Sequence, residues 1–275
     1  MKNISILLML ITFATTAQEL SVMTYNIKLD YPIEGENSWT NRKPMFIGQL
    51  NFYEPDIFGV QEAMPNQMKE MDSLLPNYGF VGVGRDDGQD LGEYSAIFYK
   101  KNKFKVLVSS TFWLSETPDK VSMGWDAACN RVCTYVKFED LQNHSTFYVF
   151  NTHFDHIGVE ARKNSSKLII KKINEINVEN LPVILTGDFN LEEDSESIKY
   201  IKSQLKDSKE ISKAEPFGPI GTFNNFEFDK PVSRRLDYIF VNSRVTVQKY
   251  AVLSDSKDLH YPSDHLPVLV MLKLD

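Results

Sequence analysis

The chain has 275 residues, of which 42% are hydrophobic and 24% charged, a balance that excludes a mainly disordered protein and supplies a sizeable core. Its formal net charge of −7 argues against non-specific binding of nucleic acid, which depends on clustered Lys and Arg. No linker rich in Gly, Ser or Pro divides the sequence, so we expect a single domain over residues 18–275.

Residues 1–17 have the pattern of a secretory signal peptide. Lys2 precedes an apolar run over residues 4–13, and small residues follow it up to Ala17. A membrane-spanning helix needs about 20 apolar residues, so we expect cleavage after Ala17 and export to the periplasm or the medium, with no membrane anchor. Cleavage removes Lys2 and no acidic residue, which takes the net charge from −7 to −8.

The first half of the mature chain alternates strands with helices. We predict a strand at 20–27 that ends in Asn26, and a helix that is capped by Thr40 or Asn41 and runs through Phe52. A buried strand at 56–60 follows, with Glu62 at its exit, and then a helix from 65 to 75 that begins at a proline. The next five predicted strands are 78–83, 94–99, 105–112, 131–138 and 146–153.

The second half opens on a clear amphipathic helix at 159–176, whose lysine-rich side we interpret as a solvated face. A buried strand at 182–187 delivers Asp188 and Asn190, and a shorter helix lies near 195–205. Three strands at 236–241, 245–253 and 267–272 complete the chain. Strand-helix-strand passages at 20–60 and 146–187 favour an α+β fold, a sandwich of two mixed sheets with helices outside, over a barrel.

The two cysteines, Cys129 and Cys133, lie four positions apart at a predicted strand entry. Extended backbone would place their Cα atoms too far apart for a bridge. We therefore expect two free thiols, although an oxidising compartment would permit a disulfide.

Polar residues recur where the predicted strands end. Each has a structural explanation as a turn former, a surface charge or a satisfied core histidine, but their number favours a common site. The set consists of Asn26, Glu62, His153, Asp188, Asn190, Asp237, Ser263, Asp264 and His265.

These residue types suit hydrolysis of a phosphate ester. Glu62, Asn26 and Asp264 offer the oxygen ligands that Mg²⁺ prefers, with Mn²⁺ as an alternative, whereas zinc would need more His or Cys ligands. A water must then be oriented and deprotonated. Either His265 supported by Asp237, or Asp188, suits that task.

His153, if it is cationic, would neutralise the phosphoryl oxygens. A serine hydrolase ranks low, because no Gly-x-Ser-x-Gly elbow is present.

Six short motifs resemble, in order, the successive signatures of the endonuclease/exonuclease/phosphatase family, and they cover essentially the whole mature chain. They are Thr24-Tyr25-Asn26, Gly59-Val60-Gln61-Glu62-Ala63, Asn151-Thr152-His153, Thr186-Gly187-Asp188-Phe189-Asn190, Leu236-Asp237-Tyr238-Ile239 and Ser263-Asp264-His265-Leu266-Pro267.

The resemblance implies a four-layered α/β sandwich, a divalent cation and cleavage of P–O bonds. By match to the motifs, Glu62 and Asn26 would lie on the metal side, Asp188 and Asn190 at the attacking water, and His153 on the phosphate. Asp237 would support His265.

Residues 84–88, 111–115, 124–128 and 151–156 are similar to a branch of exported bacterial members near the deadenylase-like proteins. On that likeness, Trp125, Asp126, Arg131 and His156 are candidates for substrate contacts, with loop packing as an equal explanation.

The function that we expect is hydrolysis of a phosphodiester, as in a nuclease, by a monomeric enzyme. A phosphatase or phosphodiesterase for a small, lipid or glycan-linked phosphoester is the alternative, and the acidic net charge favours it. An inactive binding module on the same fold is the remaining possibility.

Overall fold

The computed structural model describes residues 19–31, 33 and 35–274. The predicted signal segment, residues 1–17, lies outside the described residues. Two six-stranded mixed sheets pack face to face with helices outside, and this is the sandwich that the sequence predicts. Among the helices of the described part of the chain, none has the length and apolar character needed to cross a bilayer.

Sheet I has the spatial order β11 (Val245–Val252), β12 (Val268–Leu274), β1 (Glu19–Asn26), β2 (Ile57–Gln61), β4 (Ile97–Lys100), β3 (Tyr78–Val81). Sheet II has the order β5 (Phe104–Trp113), β6 (Val132–Asp140), β7 (Thr146–His153), β8 (Val183–Asp188), β10 (Asp237–Val241), β9 (Lys206–Asp207). The helices are α1 (Trp39–Tyr53), α2 (Pro65–Leu74), α3 (Val159–Ile176), α4 (Glu196–Gln204) and α5 (Ser208–Ile211), and a 3-10 turn covers Gly35–Asn37.

Three apolar clusters separate the layers. One lies between the sheets, one lies under α1 and α2, and one lies under α3 and α4. Successive residues of one strand serve different clusters: in β8, Ile184 faces the centre while Val183 and Leu185 face the outer helices. Both faces of the strand are therefore buried, which explains why residues 182–187 read as an unbroken apolar run.

The two strand-helix-strand passages form the parallel pairs of the fold. β1 pairs with β2 after the α1 crossover, and β7 pairs with β8 after the α3 crossover. Parallel neighbours end at the same edge of a sheet, so the polar residues that follow these strands are brought together. The observed α3 has the bounds that the sequence predicts.

Several predicted boundaries differ from the observed ones by one to three residues, and three of these differences have a clear structural reason. Helix α1 begins at Trp39 and not after Thr40 or Asn41, because Trp39 is buried against Phe46 and belongs to the packed helix. The strand predicted at 94–99 is paired from Ile97 onward, since Tyr94 makes an isolated bridge to Ala63. Strand β3 stops at Val81 because Gly82 follows with φ 138°.

Strand β9 and helix α5 have no counterpart in the sequence prediction. They are two and four residues long, too short to show a period. Asp207 explains why these two short elements form. Its side chain caps α5 and makes an ion pair with the buried Arg235 at 2.7 Å. Both cysteines are free, as expected, and burial raises the pKa of both thiols.

Candidate active site

The polar residues of the strand ends meet at one edge of the sandwich. In sheet I, Asn26 stands opposite Gln61 across the parallel pair, and Glu62 follows at once. In sheet II, Asp188 stands beside His153 on one side and Asp237 on the other. Each of these side chains therefore owes its place to strand register, and the two sheets contribute to one cluster.

Buried polar groups bridge the two sheets directly beneath that cluster. The amide of Gln61 donates to Thr24 at 3.0 Å and to Asn151 at 2.7 Å, which joins sheet I to sheet II. Asn151 in turn donates to the carbonyl oxygens of Val60 and Ala96. These bonds fix the distance between the sheets where the site lies, and they satisfy groups that would be costly to bury alone.

Asp188 is the centre of the cluster and is almost fully buried. Its Oδ2 accepts from the Asn26 amide at 2.9 Å, and it lies 3.4 Å from His153 Nε2 and 3.7 Å from His265 Nε2. Its Oδ1 accepts from the backbone N–H of Asn190 at 2.8 Å. Burial, and then the nearby charge of Asp237, raises the pKa of Asp188 to about 7. Such a carboxyl can exchange a proton at neutral pH.

His265 is held by a chain of hydrogen bonds. Its Nδ1 lies 2.8 Å from Oδ2 of Asp237, and Thr222 Oγ1 donates to the same oxygen at 2.6 Å. Burial disfavours the imidazolium, but Asp237 and then Asp188 outweigh it and raise the pKa of His265 to about 10. The imidazolium form of His265 is therefore favoured at neutral pH, and the hydrogen bond to Asp237 orients its ring.

His153 has the opposite electrostatic setting. Burial, and then the charges of Arg131 and Arg85, hold the pKa of His153 well below its ordinary value, so it is neutral. The cationic His153 that the sequence analysis considered is thus not what this environment favours. Its Nε2 faces the amide nitrogen of Asn190 at 3.0 Å, which makes Nε2 the acceptor and leaves the proton on Nδ1.

The three candidate metal ligands lie next to one another, with Lys28 among them. The Asn26 amide nitrogen donates to Glu62 Oε1 at 3.0 Å, and its carbonyl oxygen accepts from the backbone N–H of Lys28 at 3.1 Å. Lys28 Nζ lies 3.4 Å from Asp264 Oδ2. Burial would raise the pKa of Glu62, but Lys28 and Asn26 lower it, so the Glu62 carboxylate is charged.

The donor set fits a hard divalent cation. Four carboxyl groups gather here, Glu62, Asp188, Asp237 and Asp264, and Lys28 and His265 form ion pairs with three of them. Burial raises the pKa of both Asp188 and Asp264, and the nearby carboxyl groups of Asp237 and Glu62 raise it further, so negative charge is in excess here. Oδ1 of Asp237 is buried and has no hydrogen-bond partner among the described residues. Oxygen donors with excess negative charge are what Mg²⁺ or Mn²⁺ requires.

A polar wall adjoins His153 on the side away from Asp237. Arg85 Nη1 donates to Glu93 Oε2 at 2.7 Å, and that oxygen lies 3.8 Å from His153 Nδ1. Arg131 contacts Asp155 at 3.4 Å and His156 Nδ1 at 2.9 Å. We call Arg85, Glu93, Arg131, Asp155 and His156 the polar wall.

Three nitrogen atoms in and beside this wall are buried and have no hydrogen-bond partner among the described residues: Arg85 Nε, Arg131 Nη1 and His153 Nδ1. Buried donors that lack a partner are rare in proteins and call for a specific explanation, such as a bound ligand. Their clustering beside His153 makes this surface a candidate for binding a ligand.

The four predicted substrate contacts have different surroundings. Arg131 and His156 belong to the polar wall. Asp126 accepts from the backbone N–H groups of Glu160 and Ala161 and so caps the first turn of α3. Trp125 is half-buried, and its backbone is left-handed, with φ 50°. Its backbone N–H donates to the Glu116 carboxylate. Asp126 is therefore a helix cap, and Arg131 and His156 are the two candidates that lie in the polar wall.

Sequence reasoning missed Lys28, Arg85, Glu93, Asp155 and Thr222 as members or supports of the site. Thr222 lies in an irregular stretch with no periodicity, so its contact with Asp237, fifteen residues on, has no local signal. Glu93 precedes β4 and reads as an ordinary loop acid. Arg85 and Asp155 lie in residues 84–88 and 151–156, which resemble the exported branch of the family, and this resemblance is the sequence signal that could have found them.

The comparisons with known proteins agree with this architecture. Residues 23–265 match the model of the Endonuclease/Exonuclease/phosphatase family. A mannosyl-6-phosphatase from Bacteroides thetaiotaomicron is 40% identical with a TM-score of 0.88, covering 92% of this chain and 99% of that one. A second protein of that species, described by the family name, is 39% identical with a TM-score of 0.90, covering 94% of this chain and 98% of that one.

Similarity to curated relatives is lower. Mouse nocturnin is 24% identical over 288 residues, covering 91% of this chain and 64% of the relative. This chain spans 60% or less of the first three curated relatives that it matches.

Proposed function

This chain belongs to the endonuclease/exonuclease/phosphatase family of hydrolases that act on phosphoesters, and we propose that it is a phosphatase for a sugar phosphate, dependent on Mg²⁺ or Mn²⁺. The mannosyl-6-phosphatase named above supports this substrate class, since it is 40% identical over nearly its whole length. The phosphodiester that the sequence favoured becomes the second choice.

The observation that carries the proposal is the charge balance of the polar wall. Both of its arginines already contact carboxylates, Arg85 with Glu93 at 2.7 Å and Arg131 with Asp155 at 3.4 Å. A nucleic acid needs uncompensated positive charge along its backbone path. Paired arginines and carboxylates instead offer donors and acceptors side by side, which suits the vicinal hydroxyl groups of a sugar.

The site residues account for the chemistry as follows. A divalent cation held by Glu62 and Asn26 would supply positive charge against the phosphoryl oxygens. His153 and Asn190 lie side by side and would bind the phosphoryl group as neutral hydrogen-bonding partners. Asp188 takes a proton from the attacking water as the water oxygen bonds to phosphorus.

The P–O bond to the sugar then breaks, and the leaving alkoxide takes its proton from solvent. His265 lies only 3.7 Å from Asp188, so the two act on the same side of phosphorus. We assign the base role to Asp188 and charge stabilisation to the His265 imidazolium, because a group with a pKa of about 10 has no free site for a proton at neutral pH.

A substrate panel tests the proposal. The mature chain is assayed with MgCl₂ or MnCl₂ against mannose 6-phosphate, glucose 6-phosphate, bis-p-nitrophenyl phosphate and a single-stranded RNA. The readouts are inorganic phosphate from the hexose phosphates, p-nitrophenolate from the diester, and shortened RNA. We expect kcat/KM for at least one hexose phosphate to exceed that for the diester and the RNA by about a hundredfold or more. Preference for RNA or the diester would overturn the assignment in favour of a nuclease.

We also propose that the enzyme works after export. The support is the charged start, apolar middle and small-residue end of residues 1–17. Export predicts that the protein recovered from the periplasm or the medium begins at Gln18, as read by N-terminal sequencing. Recovery of a chain that still begins at Met1 would contradict it.

A further inference from the structure

Trp125 differs from the other two tryptophans of the chain. Trp39 and Trp113 are buried, and their indole N–H groups donate to Glu70 at 2.6 Å and to the Arg85 carbonyl oxygen at 2.7 Å. Trp125 is only half-buried, and it belongs to none of the three apolar clusters that the described residues form. Packing in the core therefore does not explain a tryptophan at this position.

The loop holds Trp125 in a backbone conformation that few large side chains adopt. Its φ is 50°, in the left-handed region, where a bulky residue is an outlier. Its N–H donates to Glu116 at 3.1 Å, and Asp126 beside it caps α3. On the other side, a Cβ added to Gly124 would lie 2.2 Å from the Leu114 carbonyl oxygen, so the loop cannot shift that way. Strain that the neighbouring residues maintain in this manner is concentrated at functional sites.

Three exposed apolar side chains lie on the chain segments next to Trp125. Met123, Ile157 and Val159 are 57%, 64% and 63% exposed. Gly158 lies against the Trp125 loop, since a Cβ added to it would be 2.7 Å from Asp126 Oδ1. Single exposed apolar residues are ordinary, but a group of them marks a candidate binding surface. We call Met123, Trp125, Ile157 and Val159 the apolar ledge.

The apolar ledge adjoins the polar wall through Asp155. Oδ2 of Asp155 accepts from the backbone N–H of Ala128, in the loop of Trp125, at 3.0 Å, and it lies 3.4 Å from Arg131. Oδ1 of Asp155 accepts from the backbone N–H of Ile157 at 2.9 Å. One continuous surface therefore carries hydrogen-bonding groups at one end and an aromatic ring with apolar side chains at the other.

A sugar suits such a surface, because its hydroxyl groups form hydrogen bonds while the C–H groups of its ring face pack on apolar and aromatic side chains. A nucleic-acid base could also stack on Trp125. The carboxylates of Glu116 and Asp126 flank this residue, however, and would repel the phosphate that joins one nucleotide to the next. A neutral sugar residue carries no such charge.

We propose that the apolar ledge binds a second sugar residue, so that the preferred substrate is a phosphorylated oligosaccharide and Trp125 determines that preference. The polar wall holds the phosphorylated sugar, and the ledge holds the sugar that is linked to it. The inference rests on the proposed function and deepens it, because it names the length of the substrate.

The test compares kcat/KM for mannose 6-phosphate with kcat/KM for a mannobiose that is phosphorylated at C6 of its non-reducing sugar. The wild-type chain should favour the disaccharide by about tenfold or more. Trp125→Ala should bring the two values to within about twofold of each other, through loss on the disaccharide, whereas Trp125→Tyr should keep most of the preference. The matched control is Phe52→Ala, which removes an aromatic ring of α1 that is 80% exposed and lies outside the ledge. This control should keep the whole preference.

The possible failures are distinguishable. Equal kcat/KM for the two sugars on the wild type, or an unchanged preference in Trp125→Ala, would overturn the role of the ledge and leave the sugar phosphatase standing. Release of phosphate from neither sugar would overturn the proposed function and the ledge with it. Loss of RNA cleavage in Trp125→Ala, without loss on the disaccharide, would assign the ledge to a nucleic-acid base and would also overturn the proposal.

Trp125→Asn keeps the test decisive if the Ala variant folds poorly. Asparagine adopts a left-handed φ readily, so it preserves the loop while it removes the ring. This variant should melt within about 3 °C of the wild type and should lose the preference for the disaccharide. A larger fall in the melting temperature would show that the ring serves packing and would overturn the proposal.

Discussion

Thr222 connects the hydrogen-bonded pair of Asp237 and His265, to which we assign roles in catalysis, to the backbone. Its hydroxyl donates to Asp237 Oδ2 at 2.6 Å and accepts from the N–H groups of Leu236 and Asp237 at 3.0 and 3.1 Å. The carboxylate that orients His265 is thereby fixed in turn. Supports of this kind matter because small misplacements of a catalytic group are costly.

We predict that Thr222→Val lowers kcat by about tenfold with little change in KM, since Asp237 loses its donor while the substrate contacts remain. Thr222→Ser keeps the hydroxyl and should recover activity to within about threefold. Steady-state kinetics on the best substrate of the panel measures both. Wild-type kcat in the Val variant would show that Asp237 needs no such support.

Asp155 links pH to stability. Burial would raise its pKa, but the N–H groups of Gly158 and Ile157, the charge of Arg131 and the N–H of Ala128 together lower the pKa to about 2. The folded pKa lies below the unfolded value of about 3.9. The stabilisation from the Asp155 carboxylate is therefore complete above that value and is lost as the pH falls toward about 2.

Asp155→Ala is expected to lower the free energy of unfolding by about 3 kcal/mol at pH 7, because several hydrogen bonds to a charged acceptor are lost. The difference in the free energy of unfolding between Asp155→Ala and the wild type should narrow as the pH falls below the unfolded value of about 3.9 toward about 2. Urea unfolding from about pH 6 down to about pH 3 measures it. A difference that stays constant with pH would mean that the carboxylate charge contributes nothing.

At the scale of single residues, the sequence predicts the polar residues at the ends of strands better than it predicts the loop residues that contact them. Asn26, Glu62 and Asp188 follow apolar runs; parallel pairing places the first two at one edge of sheet I and Asp188 at one edge of sheet II, and the packing of the two sheets brings them together. Glu93 and Thr222 reach the site from loops, where no period fixes their direction. Lys28 depends on a left-handed backbone that no propensity of lysine predicts.

At the scale of the elements, β2 must approach β7 and β8 closely. A Cβ built on Gly59 would lie 2.5 Å from Asn151 Oδ1 and 2.7 Å from Thr186 Oγ1. Asn151 cannot move aside, because its amide is bonded to Gln61, Val60 and Ala96. The absence of a side chain at this position therefore sets the spacing of the two sheets.

We predict that Gly59→Ala destabilises the protein by about 3 kcal/mol and lowers activity, because it forces the sheets apart beneath the site. Gly48→Ala in α1 is the matched control, since its Cβ meets nothing within 4 Å. That control should be neutral or up to about 1 kcal/mol more stable. Thermal and urea unfolding of both variants measure the difference in stability. Equal stability of the two variants would contradict the close contact of Gly59 with Asn151 and Thr186.

The helices and strands with strong periods were predicted well, and the short or tertiary-dependent ones were not. Helix α3 has a continuous apolar stripe, and both of its ends were predicted at the correct residue. Strand β9 and helix α5 depend on the buried Asp207–Arg235 pair, a contact between residues 28 positions apart. These two elements form because of an ion pair between residues that are distant in the sequence, and a local sequence pattern cannot predict such a contact.

At the scale of the whole molecule, the site belongs to neither sheet alone. Asn26 and Glu62 come from sheet I, and His153, Asp188 and Asp237 come from sheet II. The order of six motifs along the sequence predicted this convergence, because they match one family from end to end. The proposed preference for a sugar phosphate over a nucleic acid rests on the charge balance of the polar wall, which is local, whereas the sequence supplies only the net charge, which is global.

The most direct test of the account is turnover by Asp188→Asn. Asp188 contacts Asn26 of sheet I at 2.9 Å and lies within 4 Å of both site histidines, so the proposed chemistry passes through it. Phosphate release from the best substrate of the panel, with MgCl₂, should fall by about a thousandfold, as for loss of a general base, while Mn²⁺ titration and thermal unfolding confirm a folded protein. Turnover within about threefold of the wild type would contradict the proposal that these residues form one hydrolytic site.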